Sequence, residues 1–174
     1  MPELITPTVR LHEAWLESRD EWGRGVHQPG SGLRLTDDPD THAGFAAWTR
    51  RLVSEEDPAV TPEAGWVNCS YRWVVEDDRV LGAISLRHVL NDFLLNAGGH
   101  IGYGIRPSAR RRGLASFAVA EMLTAAGKLG IDRVMISCDV ANEASARTIE
   151  RNGGVLEDIR ITHLGTVKRY WITL

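Results

Sequence analysis

The residues best suited to chemistry lie in the stretch RPSARRRGLAS, which spans residues 106–116. It places four arginines and Gly113 around the start of a helix that the sequence predicts over residues 113–129. The first N–H groups of a helix have no intrahelical acceptor, and the helix dipole adds partial positive charge there. Arginine adds bidentate donors for phosphate oxygens. The stretch therefore predicts an anion-binding turn suited to a pyrophosphate, with a solvated basic turn as the alternative.

The predicted strand before this turn, HIGYGIR, has one face with almost no side chains. Its two faces alternate along the chain, with Ile101, Tyr103 and Ile105 on one side and His100, Gly102, Gly104 and Arg106 on the other. Glycine weakens a strand interior, so two glycines on one face indicate that another group lies close to that backbone. The adjoining turn favours a ligand arm as that group, and a tightly packed helix or strand is the alternative.

Periodicity predicts an α/β chain whose second half runs β-α-β-α-β-β. The predicted helices cover residues 10–23, 41–54, 113–129 and 143–152, and the predicted strands cover residues 70–76, 80–88, 100–106, 133–138, 155–164 and 167–174. A strand, a helix and a second strand in succession imply a right-handed crossover between parallel neighbours. Ligands in such sheets bind beyond the carboxyl ends of the parallel strands, which is where the arginine-rich turn falls.

Composition limits the class of protein. The 174 residues, of which 43% are hydrophobic, are enough for one well-cored domain. Cys69 and Cys138 lack the spacing of a metal or redox pair, which fits a reducing compartment. No segment has the pattern of a signal peptide or a membrane span, so we expect a cytoplasmic protein with no membrane partner.

Charge is unevenly distributed along the chain. Residues 1–66 carry 6 Lys and Arg against 12 Asp and Glu, whereas residues 67–174 carry 14 against 11. An acidic first part that faces a second substrate would steer a cationic molecule towards the site. A solvated acidic surface explains the same composition without any such role.

Over residues 68–174 the chain resembles the GNAT superfamily of acyl-CoA-dependent N-acetyltransferases. The resemblance rests on the strand, Pro107, the RRRGLA form of the motif Arg/Gln-x-x-Gly-x-Gly/Ala, the next helix and strand, and the segment NEASARTIERNGG. It implies one α/β domain over residues 1–174, with a mixed central β-sheet flanked by helices and splayed between two parallel strands. Residues 1–66 would form acceptor-side helices and loops, and residues 67–174 the sheet and the CoA-binding core.

The resemblance also implies a binding mode for acetyl-CoA. The pantetheine arm would run along the strand near Ile105 and Arg106, and Asn142 and Ser145 would contact the pantetheine or its thioester. The segment NEAS also fits an ordinary helix start with Asn142 as the N-cap, and the two roles are compatible. The pyrophosphate would lie beside Arg110, on the backbone amides of Arg111, Arg112, Gly113, Leu114, Ala115 and Ser116.

The groups that would transfer protons are less clearly marked. Many family members carry a tyrosine seven residues after the asparagine as an acid for the CoA thiolate, and Ile149 occupies that position here. Tyr103 and Tyr170 are candidate substitutes, although apolar packing suits their strand settings better. His100 is the candidate general base for the acceptor amine and His88 the second candidate. An inert strand-end histidine explains His100 equally well.

These features predict transfer of an acetyl group from acetyl-CoA to a primary amine by direct attack, with no metal. The acceptor would be a small-molecule or peptide amine, cationic on the charge argument, and the enzyme a monomer or a homodimer. A catalytically weak acyl-CoA-binding or sensing module is the alternative, which the loss of tyrosine at Ile149 would permit. Nucleic-acid binding is disfavoured because the chain is net acidic and its arginines form one turn rather than a stripe.

Overall fold

A computed structural model describes all residues from 1 to 174. Every predicted element forms, with bounds within two residues of those expected, and a short first strand adds to them. The first half contains β1 (Glu3–Ile5), α1 (His12–Trp22), α2 (His42–Ser54), β2 (Cys69–Glu76), β3 (Arg79–Arg87) and β4 (Ile101–Ile105). The second half contains α3 (Leu114–Lys128), β5 (Arg133–Asp139), α4 (Glu143–Arg151), β6 (Val155–Thr162) and β7 (Gly165–Thr173).

The strands form two separately hydrogen-bonded sheets, one in the order β1-β2-β3-β4 and the other in the order β5-β7-β6. Every hydrogen-bonded strand pair within them is antiparallel. The predicted α/β fold and its splayed strands are therefore confirmed, but the expected parallel pair is not a hydrogen-bonded ladder. Strands β4 and β5 are neighbours in space, and the two sheets meet between them.

His100 joins the two sheets at the start of β4. Its backbone N–H donates to Met135 O at 2.7 Å, and its ring nitrogen Nδ1 accepts from Met135 N at 2.9 Å. Its carbonyl oxygen accepts from Arg87 N at the end of β3, also at 2.7 Å. The histidine thus satisfies both backbone groups of one β5 residue, and no ladder continues along the two strands.

Two apolar cores cover the two faces of the first sheet. One core packs α3 and α4 against both sheets around Ile84, Val119 and Ile136. The other packs α1 and α2 against β2 and β3 around a cluster of aromatic rings. No helix of the chain has both the length and the apolar content that a transmembrane span requires.

The loop between α1 and α2 covers the glycine face of β4. A Cβ atom on Gly104 would lie 3.1 Å from Pro29 O and 3.3 Å from the ring of Trp22. A Cβ atom on Gly30 would lie 2.6 Å from Gly102 O, so two glycines allow the loop and the strand to touch. The prediction that a ligand arm lies on this face is wrong. The alternative, a tightly packed segment of the chain, is what the structure contains.

The burial of His100 makes stability depend on pH. The side chain is 6% exposed, and burial, with a further contribution from the charge of Arg87, lowers its pKa from 6.5 to about 4. The unfolded chain therefore binds more protons than the folded chain between about pH 4 and 6.5, so stability is lost as the pH falls through this range. At about 1.36 kcal/mol per pKa unit, the loss due to His100 is about 3 kcal/mol.

We predict that His100→Asn, which keeps an acceptor near the position of Nδ1, will flatten this dependence. The measurement is the free energy of unfolding by denaturant at several pH values between 7 and 4. Burial also lowers the pKa of His88, so part of the slope will survive in the variant. Identical slopes in the native and variant chains would contradict a buried, neutral His100.

Candidate active site

A cavity of about 760 Å³ opens where the two sheets separate. Strand β4, the end of β5 and the start of α4 form one side, and the loops near residues 27–34 and 65–67 form the other. The lining residues that matter for chemistry carry thiol, hydroxyl, amide, imidazole, carboxylate or guanidinium groups. They are His27, Gln28, Arg34, Cys69, Tyr71, Ser85, Arg87, Tyr103, Ser137, Cys138, Asp139, Asn142 and Ser145.

The arginine-rich turn leaves a row of backbone N–H groups free. The first helical hydrogen bond of α3 runs from Phe117 N to Gly113 O, and the N–H groups of residues 111–116 have no acceptor in the chain. Gly113 has φ 77, and nothing lies within 4 Å of where its Cβ would be, so this side of the turn is open. The turn has the form of an anion site at a helix start.

Of the three consecutive arginines in the turn, only Arg112 forms an ion pair with a carboxylate. The Arg110 guanidinium lies 5.0 Å from the centre of the Trp22 ring, and its Nε donates to Ile105 O at 3.0 Å. Arg112 forms an ion pair with Glu76 at 2.6 Å. Arg111 forms no ion pair or side-chain hydrogen bond and has φ 61, a left-handed conformation that is uncommon outside glycine. The expectation that all three supply free charge is therefore too broad.

The pairing of β4 with β3 determines which backbone groups face the gap between the sheets. In an antiparallel ladder, the residues that hydrogen-bond to the neighbouring strand alternate with residues whose N–H and C=O point away from it. Arg106 N donates to Leu81 O, which places the even-numbered residues on the β3 side. The backbone groups of Ile101, Tyr103 and Ile105 therefore point towards β5, with which β4 forms no ladder.

Arg106 does not have the position expected of a pantetheine contact. Its side chain is buried and forms ion pairs with Glu17 at 2.9 Å and Glu21 at 2.5 Å, both on α1. Its N–H donates to Leu81 O, and its C=O accepts from Ala109 N. The polar groups of Arg106 are all occupied inside the protein, and the residue fixes the turn to α1. The expectation that Arg106 contacts the pantetheine is therefore wrong.

The start of α4 brings Tyr103, Asn142 and Ser145 together. Asn142 is the N-cap, and its side-chain oxygen accepts from Ser145 N at 3.1 Å. The Ser145 hydroxyl lies 2.6 Å from the Tyr103 hydroxyl. Burial raises the pKa of Tyr103 to about 12, opposed by its hydrogen bond to Ser145, so the phenol keeps its proton at neutral pH. Ile149 is fully buried in the core, whereas Tyr170 donates to Glu150 and does not line the cavity.

Neither candidate histidine lies where a general base is needed. His100 does not line the cavity, and its Nδ1 lone pair is occupied by Met135 N–H. His88 Nε2 lies 2.8 Å from Ser70 Oγ, also away from the cavity. Burial lowers the pKa of both imidazoles, which weakens them further as bases. The structure supports a structural role for His100, the alternative that the sequence left open.

Two titratable groups of the cavity had no signal in the sequence. His27 belongs to a glycine- and proline-rich loop, and Asp139 ends β5; neither forms an ion pair. Asp139 Oδ1 accepts from Ala141 N at 2.8 Å. Only the fold of the loop onto β4 brings His27 to the site, so no local pattern could have identified it.

The acidic excess of residues 1–66 does not face the cavity. The only carboxylate that lines it is Asp139, which lies outside that part of the chain. Most of the acids are instead paired with arginines of the chain itself, so the acidic acceptor face that a cationic substrate requires is not present. These pairs join Arg19 to Asp20 and Asp40, Arg51 to Asp37 and Glu55, Arg72 to Glu56, and Arg106 to Glu17 and Glu21.

Comparison with known proteins gives one family and several similar folds. The family model for the acetyltransferase (GNAT) domain matches residues 33–155. No curated protein matches the sequence significantly.

Three solved structures illustrate the similarity of fold. The microcin C7 self-immunity acetyltransferase MccE, in complex with acetyl-CoA and AMP, has 14% identity and a TM-score of 0.72 over 99% of this chain and 92% of that one. The Salmonella typhimurium acetyltransferase that modifies the N-terminal serine of ribosomal protein L7/L12 has 17% identity and a TM-score of 0.68 over 99% and 95%. Mycobacterium smegmatis RimJ, in complex with CoA-disulfide, has 15% identity and a TM-score of 0.73 over 99% and 81%.

Proposed function

We propose that this chain, which belongs to the GNAT acetyltransferase family, holds its acetyl-CoA between β4 and β5 and acetylates a primary amine by direct attack. The observation that carries the proposal is the row of free N–H groups over residues 111–116, directly beyond the end of β4. These groups, with the Arg111 guanidinium, would bind the pyrophosphate. The backbone groups of Ile101 and Tyr103 and the N–H of Ile105 would pair with the pantetheine as a further strand does, since Ile105 O already accepts from Arg110 Nε.

The pyrophosphate assignment predicts that acetyl-CoA binds at least tenfold more tightly than acetyl-pantetheine. Gly113→Glu should remove this difference, because it places a negative charge and a side chain in the open turn. Gly130→Glu is a matched control, since Gly130 follows the other end of α3, has φ 78 and also has nothing within 4 Å of its Cβ position. Calorimetric titration of the three proteins measures the affinities, and equal affinity of the native chain for both donors would refute the assignment.

We assign the proton donor for the departing thiolate to Tyr103. The amine nitrogen forms a bond to the thioester carbonyl carbon, the C–S bond breaks, and the phenol proton passes to the sulfur, giving CoA and the amide. The nearby Ser145 hydroxyl offers a route by which solvent returns the proton to the phenolate. The assignment explains how the reaction proceeds with Ile149 buried in the position where many family members carry their acid.

We predict that Tyr103→Phe lowers kcat by about 10- to 100-fold while the KM for acetyl-CoA stays within a few-fold. This fall in kcat is small for the loss of a general acid, because a thiol has a pKa of about 8.5 and the thiolate leaves readily without one. Tyr170→Phe removes a hydroxyl outside the cavity and should leave kcat nearly unchanged. Steady-state rates of CoA thiol release test both variants, and a fall in kcat shared by both would contradict a specific role for Tyr103.

His27 is our candidate for the base that removes the proton from the attacking amine, directly or through a water. It is the only imidazole that lines the cavity, and histidine is the side chain that most often transfers protons in catalysis. The proton lost by the nitrogen passes to His27 and then to solvent, so the enzyme returns to its starting state after each turnover.

We expect His27→Gln to lower kcat/KM by about 10- to 1,000-fold at neutral pH, because the variant has no base for the attacking amine. Exposed His42 lies outside the cavity, and His42→Gln serves as the control. If kcat/KM is unchanged in His27→Gln and falls in Asp139→Asn, the base is the carboxylate instead.

The proposed acceptor is an amine on a small molecule or a peptide. One of the proteins with a similar fold acetylates a protein N-terminus, which supports keeping peptide amines among the candidates. Residues 1–66 would contribute the loop near residues 27–34 to the acceptor side. The hypothesis of a cationic acceptor is not carried forward, because the acidic residues on which it rested are paired within the chain.

A further inference from the structure

We infer that the acceptor amine carries an anionic oxygen group, a carboxylate or a phosphate, and that this group binds to Arg87 in the cavity. The inference rests on the proposed function and specifies the chemical class of its second substrate.

Arg87 is held in place by backbone contacts that leave its charge uncompensated. It is the last residue of β3, and its Nη1 donates to Gly98 O at 3.2 Å and Gly99 O at 3.1 Å. These are neutral acceptors, and Arg87 forms no ion pair. Its half-buried guanidinium lines the cavity and has further N–H donors beyond those two contacts. A fixed guanidinium with free donors is the group that proteins use to bind carboxylate and phosphate.

Arg87 is the only Arg or Lys lining the cavity that lacks a carboxylate partner. Arg34, the second arginine that lines the cavity, forms ion pairs with Glu55 at 2.9 Å and Glu63 at 3.7 Å. Its guanidinium also lies 3.9 Å from the centre of the Trp66 ring. The charge of Arg87 is felt in its surroundings, since it contributes, after burial, to the lowered pKa of His100. Elsewhere in the chain, buried arginines such as Arg106 and Arg169 have carboxylate partners. Arg87, which lines the cavity, has no such partner.

The guanidinium lies on the acceptor side of β4 rather than in the gap proposed for pantetheine. A Cβ atom on Gly102 would be 3.8 Å from Arg87 Nη1 and 3.6 Å from Gly30 N, so Arg87 shares the glycine face with the loop between α1 and α2. The backbone groups proposed for pantetheine point along the sheet towards β5 instead. A ligand group that reaches Arg87 therefore belongs to the acceptor and not to the acyl donor.

The remaining surroundings favour an acceptor with an apolar portion next to its anion. Trp66 and Phe93 are each about half exposed and line the cavity together with Leu33, Leu94 and Leu164. A charge–charge contact in such partly apolar surroundings is screened less than one in open solvent. An amine with a carboxylate or phosphate could bind to Arg87 through this anion and pack an apolar side group against these lining residues.

The test compares matched amines that differ only in the anion. One arm pairs amino acids such as phenylalanine with their carboxamides, and the other pairs aminoalkyl phosphates with the corresponding amino alcohols; a linear diamine represents cationic acceptors. Rates of CoA thiol release from acetyl-CoA give kcat/KM for each amine. We expect the anionic member of at least one pair to be preferred by tenfold or more, and the arm that shows the preference identifies carboxylate or phosphate.

Arg87→Gln should reduce that preference to about twofold or less, because it removes the positive charge that would bind the anion. Arg87→Lys keeps the positive charge but loses the paired N–H donors of the guanidinium, and it should retain part of the preference. Arg24→Gln, at an arginine whose side chain is 75% exposed and outside the cavity, should retain all of it. Ratios between paired amines cancel any general loss of active protein in a variant.

Three outcomes would overturn the inference while leaving the proposed function intact. These are a preference of the native chain for neutral or cationic amines, an equal fall of both members of a pair in Arg87→Gln, or an anion preference that survives that variant. An equal fall would instead indicate a role of Arg87 in holding β4 or in the reaction itself. If no amine is acetylated at all, the proposed function fails, and the two failures are thereby distinguished.

Discussion

The contact between His100 and Met135 is the constraint on which the arrangement of the two sheets depends. Buried backbone N–H and C=O groups must find partners, and His100 supplies both for Met135, one from its own backbone and one from its ring. The sheets are thus joined at the start of β4 without a ladder that would hold them together along their length. The strands splay and the cavity opens beyond this junction, whereas the register of β4 on β3 decides which backbone groups of β4 face the gap.

The position of each charged residue says more about a binding site in this protein than the net charge does. Leaving a buried charge without a partner costs about 3–5 kcal/mol, so the buried arginines are matched with carboxylates. Arg106 in particular ties the turn after β4 to Glu17 and Glu21 of α1. Arg87 and Arg111 have no carboxylate partner, and under the proposed function each would bind an anion from outside the chain.

Tyr103 shows how the surroundings of a side chain depend on residues that lie far apart in the chain. Its place in a strand suggests apolar packing, and its ring does pack against the core. Its hydroxyl, however, reaches the Ser145 hydroxyl at the start of α4 and faces the cavity. Ile149, about one turn further along α4 than Ser145, is enclosed in the core with 0% exposure. A phenol is therefore available at the cavity even though the helix does not supply one.

The sequence by itself determined the elements and the open glycine-containing turn at the start of α3, because periodicity, helix starts and glycine positions act over a few residues. It could not determine what covers the glycine face of β4, which is the loop at Pro29 and Gly30. Nor could it show that His100 joins two strands, or which arginines lack carboxylates. Those features arise only when residues distant in the chain are brought within hydrogen-bond or ion-pair distance. They were decided by the tertiary structure, because burial and pairing are properties of the packed chain and not of local sequence.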